Sequence, residues 1–268
     1  MLASGPGWRV TDVVCDSGPH DRAFEEQHDS VNIAVVTHGT FQYRASHGSA
    51  VLGPGALLLG NHGACFECGH DHGHGDRCLA FHYSPDLFES VVAATPGAQR
   101  TAFRVPRLPP MSALSGLIAE ADAAREHGDV AELEELALRM AGAVIGLLGD
   151  APRASRAPHP REERRISEAL RAIETGADEA LSLTRLAQDA AMSPYHFLRV
   201  FRRVAGVTPH QFILHRRLHH AAVSLRASRA PVSSIALDSG FADLSTFNRR
   251  FRRVMGVSPS AFRAGRAR

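Results

Sequence analysis

The chain has 268 residues, of which 44% are hydrophobic and 22% are charged, as in ordinary folded proteins of this size. It contains no apolar run of about 18 residues and no basic-then-apolar start, so we expect a cytoplasmic protein without a transmembrane helix, a secretory signal or a membrane partner. The net charge of +2 conceals an asymmetry: residues 161–268 carry 19 arginines against 9 acidic residues, and residues 1–160 carry 11 arginines against 19. A basic half joined to an acidic half is typical of a nucleic-acid-binding domain with a partner domain.

The N-terminal part of the chain, residues 1–105, is predicted to be rich in β-strands. Its apolar runs are short and are separated by turn signals such as Gly39, Pro54 and Gly55. The runs lie at residues 31–37, 40–43, 50–52, 56–59 and 78–83, and residues 10–15 also have the character of a strand. Closely spaced short strands predict a small barrel or sandwich, and a half-open barrel could hold a ligand.

A cluster of cysteines and histidines lies within this β-rich region. Its members, all between residues 62 and 82, are Cys65, Cys68, Cys78, His62, His70, His72, His74 and His82. Cys65 and Cys68 are separated by two residues, and a tight turn with this spacing directs two thiolates towards one ion. Cys78 in the next apolar run and His70, with His72 as the alternative, would complete a site of three cysteines and one histidine. Such a ligand set suits Zn2+.

Other interpretations of the cluster are open at this stage. A zinc ion could hold a long loop together, or it could be the sensed signal. The cysteines could instead be oxidised or alkylated as a signal, or the segment could be a mobile polar hairpin with free thiols. Cys15 is predicted to be a buried core residue, because it stands apart in a separate β-like run.

Residues 106–149 change to a helical period and predict an antiparallel pair of helices. Apolar residues recur at helical spacing over residues 114–121 and again over residues 133–147, with a break near Gly128 and Asp129. We expect the pair to pack against the barrel, to form a dimer interface, or to do both. Residues 150–160 are rich in proline, alanine and arginine without a period, which predicts an interdomain linker.

Residues 161–268 contain an internal repeat. Ten of the 16 positions from residue 197 to 212 have the same residue 50 positions later. Each copy predicts a helix, a turn and a second helix, with Ser193 or Asp243 as the N-cap of the second helix and Gly206 or Gly256 at its end. A long helix over Pro209–Ala227 is predicted to join the copies.

The second helix of each copy is predicted to enter the major groove of double-stranded DNA. Its apolar side carries phenylalanine and valine, so base contacts must come from the opposite face near the N-terminus. The predicted base contacts are Tyr195, His196, Arg199, Ser245, Thr246, Asn248 and Arg249. The predicted phosphate contacts, further along the same helices, are Arg202, Arg203, Arg252 and Arg253.

This pattern resembles the DNA-binding domain of AraC-type (AraC/XylS) transcriptional regulators. The signature copy is the second, with Ile235, Ala236, Ser239, Gly240, Phe241, Asp243, Ser245, Phe247, Arg249, Phe251, Arg252 and Arg253, followed by Gly256, Val257, Ser258 and Pro259. The resemblance covers about residues 163–266 and implies two helix-turn-helix subdomains that occupy successive major-groove segments. Leu244 departs from the pattern, since a polar residue is common at its position.

The patterns along the chain, together with the resemblance, predict the organisation of the whole chain. We expect an α+β fold with a cupin-like sensing barrel (residues 1–105), the helix pair (106–149), the linker (150–160) and an all-α double helix-turn-helix domain (161–268). The positions of Gly39, Pro54 and Gly55 are similar to those of the barrel that precedes many such domains. The cysteine and histidine cluster departs from the sugar-binding version, which argues against a carbohydrate effector.

The expected function is sequence-specific transcriptional regulation, favouring activation, with RNA polymerase as a partner and homodimerisation possible. The signal in the N-terminal domain would be a small molecule, a metal or a thiol event. The alternative is a metal- or thiol-dependent enzyme, or an alkyl-acceptor domain, fused to a DNA-binding module. The spacing of the cysteines does not match the four-cysteine pattern of alkyl acceptors, so we do not expect an enzyme.

Overall fold

The computed structural model describes residues 1–21, 25–70, 75–127, 130–148, 159–176 and 183–265. It has the α+β fold predicted from the sequence. In chain order the N-terminal strands are β1 (Ala3–Gly5), β2 (Trp8–Cys15), β3 (Glu25–Gln27), β4 (Val31–Gly39), β5 (Phe41–Ala45), β6 (Gly48–Leu52), β7 (Leu57–Gly60), β8 (Cys65–Gly69), β9 (Asp76–Tyr83) and β10 (Arg107–Leu108).

Two antiparallel sheets face each other in the N-terminal half. The larger has the order β1-β2-β9-β4-β7-β10, and the smaller has the order β3-β8-β5-β6. Successive side chains of a strand point to opposite faces. In the larger sheet, Ile33 and Phe81 therefore pack outwards against helices, whereas Val36 and Cys78 point inwards and share a core with Tyr43 of the smaller sheet.

Three helices accompany the sheets: α1 (Pro85–Ala94), α2 (Ser112–His127) and α3 (Val130–Leu148). The apolar stripe of α3 is buried in the same core as the outer face of the larger sheet, as the packing interpretation of the helix pair predicted. Helix α2 also contributes Ala119 to the core of the C-terminal half, so it lies between the two halves. The role of the pair as a dimer interface stays a prediction.

All the regular secondary structure described in the C-terminal half is helical. Its helices are α4 (Pro160–Thr175), α5 (Leu183–Asp189), α6 (Pro194–Ala205), α7 (Pro209–Ala227), α8 (Val232–Asp238), α9 (Leu244–Met255) and α10 (Pro259–Arg263). They form two cores, one around Phe197 and Phe201 and one around Phe247 and Phe251. Each repeat copy is therefore a folding unit with its own apolar centre, joined to the other by α7.

Some elements were not predicted from the sequence. Strand β8 occupies residues that were expected to form a tight turn, and β10 extends the larger sheet beyond residue 105. Helix α4 starts at Pro160, and most of the predicted linker lies outside the described residues. Within the described segments, none of the helices has the length and apolar character needed to cross a bilayer.

Candidate DNA interface and candidate metal site

The polar face of α9 forms an open basic surface. Asn248, Arg249, Arg252 and Arg253 line one shallow depression, and all four side chains are exposed. Arg249 and Asn248 offer the bidentate groups that match guanine and adenine edges, and the two later arginines offer positive charge for phosphates. The predicted contacts of the second copy, including exposed Ser245 and half-buried Thr246, thus share one helix face.

Local sequence fixes this helix at both ends. The Asp243 carboxylate accepts a hydrogen bond from the backbone N–H of Thr246 at 2.7 Å, and this bond lowers the pKa of Asp243. Gly256 ends the helix with φ of 79°, which favours glycine. On the buried side, the ring of Phe247 packs 5.3 Å from Phe251. The cap and the aromatic stripe together orient the opposite, basic face towards solvent.

Helix α6 has the same construction but different surroundings. Ser193 accepts from the N–H of His196, and Gly206 ends the helix with φ of 84°. Arg199 and Arg202 are exposed, and His196 is half-buried. Arg203 forms a short ion pair with Glu162 of α4. The side chain of Tyr195, the remaining predicted base contact, lies outside the described residues.

The C-terminal end of α6 is attached to the N-terminal half. The guanidinium of Arg107, in the short strand β10, donates to the carbonyl of Ala205 at 2.9 Å and to that of Val204. These carbonyls belong to the last turn of the helix, where acceptors have no partner within the helix. Burial lowers the pKa of Arg107 to about 10, so the side chain still carries its charge at neutral pH. This bond connects α6, which carries the predicted base contacts of the first copy, directly to the N-terminal half.

A second group of contacts connects the end of β4 to the C-terminal half. The backbone N–H of Gly39 lies 3.1 Å from both carboxylate oxygens of Glu174 in α4. Arg171 of α4 donates to Thr40 at 3.3 Å, and Arg216 of α7 donates to the carbonyl of Thr37 at 3.4 Å. Polar contacts from Thr37, Gly39 and Thr40 therefore join the end of β4 to α4 and α7.

Helix α2 provides a third connection. Asp122 accepts from the His219 side chain of α7 at 2.9 Å, and both residues are largely buried. Desolvation lowers the pKa of His219, so its ring is neutral at neutral pH and donates an N–H to the carboxylate. Sequence analysis did not identify any of these interdomain contacts.

The structure separates Cys65 from the other predicted zinc ligands. Residues 65–69 form strand β8, and an odd separation along a strand places two side chains on opposite faces. Cys65 is exposed and bonds to Glu25, whereas Cys68 packs against the core inside the barrel. The prediction of a chelating turn was therefore wrong, because the short Cys/Phe/Glu/Cys run pairs with β3 and β5 as a strand.

A different set of side chains comes together inside the barrel. One ligand atom from each of Cys15, His70 and Asp76 lies within 4.8 Å of the other two. The His70 Nε2 atom is 2.6 Å from Asp76 Oδ1, and the Cys78 thiol donates to Asp76 Oδ2 at 3.2 Å. His70 and Cys78 of the predicted set thus lie at this cluster, while His72 lies outside the described residues.

The electrostatics of the inner thiols oppose thiolate formation. Burial, with the negative charge of Asp76 as the next cause, raises the pKa of Cys68 to about 12 and that of Cys78 well above its usual value. At neutral pH both are therefore protonated, and a nearby positive charge is required to make either a thiolate. This disfavours the interpretation of the cluster as a set of spontaneously reactive thiols.

Sequence analysis missed Cys15 and Asp76 as members of this group. Cys15 was expected to be a core residue, but it is directly paired with Asp76 across strands β2 and β9 and lies on the same face. The sequence could have indicated Asp76, because it lies two residues before Cys78 and both side chains of a strand with this spacing point to one face. The pairing of β2 with β9 is long-range and leaves no local pattern.

Two family models match the chain. A model described as an AraC-like ligand-binding domain matches residues 16–143, and one described as a helix-turn-helix domain matches residues 186–265. The transcriptional activator AarP of Providencia stuartii is 37% identical over 98 residues, which are 37% of this chain and 73% of AarP. The regulatory protein SoxS of Escherichia coli (strain K12) is 35% identical over 98 residues, which are 37% of this chain and 92% of SoxS.

Among solved structures, the DNA-binding domain of the transcriptional factor AdpA in complex with a target DNA is 31% identical, with a TM-score of 0.37. That match covers 38% of this chain and 91% of the other. The ligand-binding model matches the β-rich half with its helices, and the helix-turn-helix model matches the helical C-terminal half. This chain belongs to the AraC/XylS family of transcriptional regulators, with an AraC-like ligand-binding domain followed by a helix-turn-helix DNA-binding domain.

Proposed function

We propose that this chain is a non-enzymatic transcriptional activator that binds a specific DNA sequence through the polar faces of α6 and α9. The base contacts are Tyr195, His196, Arg199, Ser245, Thr246, Asn248 and Arg249. The phosphate contacts are Arg202, Arg203, Arg252 and Arg253. The observation that carries the proposal is the open surface formed by Asn248, Arg249, Arg252 and Arg253 on a helix whose other face is fixed in an aromatic core.

Charge supports this assignment. The half that contains both helices has an excess of 10 positive charges, whereas the other half has an excess of 8 negative charges. Phosphates attract the basic half from any direction and give affinity that falls with salt, while the base-facing residues give sequence preference. The acidic half is repelled by DNA, which favours approach through the helix-turn-helix face.

Regulation follows from the contacts between the halves. A signal received in the N-terminal domain reaches α6 through Arg107, and it reaches α4 and α7 through the Thr37–Thr40 end of β4. A ligand that favours one arrangement of these contacts changes the population of the DNA-binding state. In this proposal the protein acts in the cytoplasm, where it recruits RNA polymerase, and homodimerisation through the α2/α3 pair brings two DNA-binding domains to one site.

The test is selection of preferred duplexes from random-sequence DNA with the full-length chain, followed by affinity measurement at several salt concentrations. We expect one enriched motif, bound with strong salt dependence. Arg249→Ala should relax the preference at one position of that motif. Arg100→Ala removes the same charge from an exposed site in the N-terminal half and should leave the motif intact. Enrichment of no motif, or an equal effect of both variants, would contradict the proposed interface.

Activation is tested separately by transcription in vitro from a promoter that carries the selected motif upstream. We expect added protein to increase transcript from RNA polymerase. A decrease, with DNA binding intact, would make the chain a repressor and would leave the DNA interface unaffected.

A further inference from the structure

The inner face of the barrel carries a group of metal-ligating side chains that DNA binding does not use. Cys15, at the end of β2, and Asp76, at the start of β9, are cross-strand partners in the larger sheet. Cys78 lies two residues after Asp76 on the same face, and His70 follows β8 of the smaller sheet. Three separate stretches of chain therefore contribute to one place, so the group is a product of the tertiary fold.

The distances within the group are those of a compact site. The nitrogen of His70, the sulfur of Cys15 and a carboxylate oxygen of Asp76 are all within 4.8 Å of one another. The other Asp76 oxygen accepts from Cys78 at 3.2 Å. Asp76 therefore links the sulfur of Cys78 to the other three ligand atoms, and an ion bound there requires the side chains to adjust until sulfur is about 2.3 Å and nitrogen about 2.0 Å from it.

We propose that Cys15, His70, Asp76 and Cys78 form a binding site for a divalent cation of the borderline-soft class, of which Zn2+ is the first example. One nitrogen, one carboxylate oxygen and two sulfurs give the four-coordinate mixed ligand set that this ion accepts. The set replaces the one expected from sequence spacing, because Cys65 lies on the outer face of the smaller sheet. Binding releases the thiol protons of Cys15 and Cys78 to solvent, and both sulfurs then bind as thiolates.

Burial and charge favour a cation at this position. The Asp76 side chain is only 7% exposed and that of His70 only 3%, so the carboxylate is removed from water. The adjacent cation, Arg77, bonds to Asp12 on the opposite face of the sheet. A divalent metal ion next to this buried carboxylate supplies a larger positive charge than the surrounding thiols and imidazole can.

The position of the site indicates that the metal ion is a signal for DNA binding, an inference that rests on the proposed function. Asp76 is the strand partner of Gly39, and Gly39 donates to Glu174 of the DNA-binding half. The two strands approach so closely there that a side chain on Gly39 would lie 2.4 Å from the carbonyl oxygen of Gly75. A metal ion that fixes Asp76 therefore also fixes the strand end that contacts α4 and α7.

The test is titration of the full-length, reduced chain with Co2+, which replaces Zn2+ and shows a sulfur-to-metal absorption band whose intensity counts the thiolates. We expect one ion per chain, a band of two thiolates and its displacement by Zn2+. Cys15→Ser and Cys78→Ser should each remove roughly half of the band or abolish binding. Cys65→Ser, an exposed control, and Cys68→Ser, an inward-facing control, should keep the full band.

Folding of each variant is checked by circular dichroism and by its affinity for DNA without metal. The site is overturned if the wild-type chain binds no Co2+ or Zn2+, or if the band depends on Cys65 and not on Cys15. DNA affinity with and without Zn2+ is measured independently. Zn2+ binding at the four residues without a change in DNA affinity would overturn the signalling step alone, whereas loss of all sequence-specific DNA binding would concern the proposed function and not the metal site.

Discussion

The two helix-turn-helix units have closely matched sequences, yet the rest of the protein holds them differently. In the first, the end of α6 is bonded to Arg107 of the N-terminal half, and Arg203 is paired with Glu162. In the second, the equivalent Arg253 has no ion pair within the described segments and lies on an open surface with Arg249. A repeat in sequence thus specifies two similar folds but not the same surroundings for their two basic faces.

This difference has a physical origin in the partners of each unit. The core of the first unit includes Val51 of the barrel, whereas the core of the second includes Ala119 of α2. Each unit is therefore linked to a different part of the N-terminal domain. In the proposed mechanism, a signal that moves the barrel acts first on α6, whereas a signal that moves the helix pair acts first on α9. The comparison predicts that the two units respond separately to substitution.

The largest expected effect comes from Arg107→Ala. The substitution removes a charged donor from the carbonyls of Val204 and Ala205 in a partly buried interface. Two hydrogen bonds from a charged group predict a loss of about 3 kcal/mol in the free energy of unfolding. Hydrogen exchange should become faster in α6 and remain unchanged in α9.

The control for this experiment is Arg104→Ala, which removes an exposed arginine three positions away. It should leave both the stability and the exchange pattern unaltered. Equal acceleration in α6 and α9 after Arg107→Ala would show that the two units are not held independently, and the comparison between them would fail.

A smaller effect is expected from the two base-facing arginines. Arg249→Ala should cost about 1–3 kcal/mol on the selected duplex and relax one position of the motif. Arg199→Ala should cost less in the wild-type chain, because the interdomain bond restricts how α6 can adjust to the groove. In the Arg107→Ala background the cost of Arg199→Ala should increase towards that of Arg249→Ala.

Competition binding on duplexes with single base changes measures these costs. An Arg199→Ala effect that is already as large as that of Arg249→Ala in the wild-type chain would show that docking on the barrel leaves α6 free to read DNA.

The repeat also shows which features of the protein are readable from sequence. Ser193 and Asp243 were identified as N-caps and Gly206 as a helix end, and the structure confirms all three. These features depend on interactions within four residues, which a local pattern encodes completely. The same is true of the phenylalanine stripe, whose spacing of three and four residues fixes the buried face.

The contacts between the two halves could not be predicted from local sequence patterns. Arg107 and Val204 are far apart in sequence, and nothing near either residue predicts their bond. The prediction of the metal ligands was wrong for a related reason. Cys65 and Cys68 were assigned to a turn, but they lie in a strand. In a strand, residues three positions apart lie on opposite faces, which would have separated Cys65 from Cys68. The strand was not recognised because glycine, cysteine and histidine in this region obscure the hydrophobic alternation.

The turns of the two units allow a further comparison. Gly240 has φ of 77°, and the corresponding residue in the first unit is Ala191 with φ of 50°. A side chain in this left-handed region costs about 1 kcal/mol relative to glycine. We therefore expect Ala191→Gly to stabilise the chain and Gly240→Ala to destabilise it by similar amounts.

Chemical denaturation of both variants measures the two changes against the wild type. A loss of stability in Ala191→Gly would indicate that the alanine methyl group makes packing contacts that outweigh the backbone strain.

The smallest expected effect distinguishes the phosphate-facing arginines. Arg253→Ala should weaken binding to all duplexes and lower the slope of log affinity against log salt by about 0.9, which is one phosphate contact. Arg203→Ala should lower the slope by less, because the Glu162 carboxylate competes with phosphate for the guanidinium and must be displaced first. Glu162→Gln removes that competition, so it should raise affinity and bring the effect of Arg203→Ala close to that of Arg253→Ala. Arg203→Ala and Arg253→Ala could instead lower the salt slope equally in the presence of Glu162. That result would show that the Arg203–Glu162 ion pair opens without cost when DNA binds, so that the two units differ only in the protein without DNA.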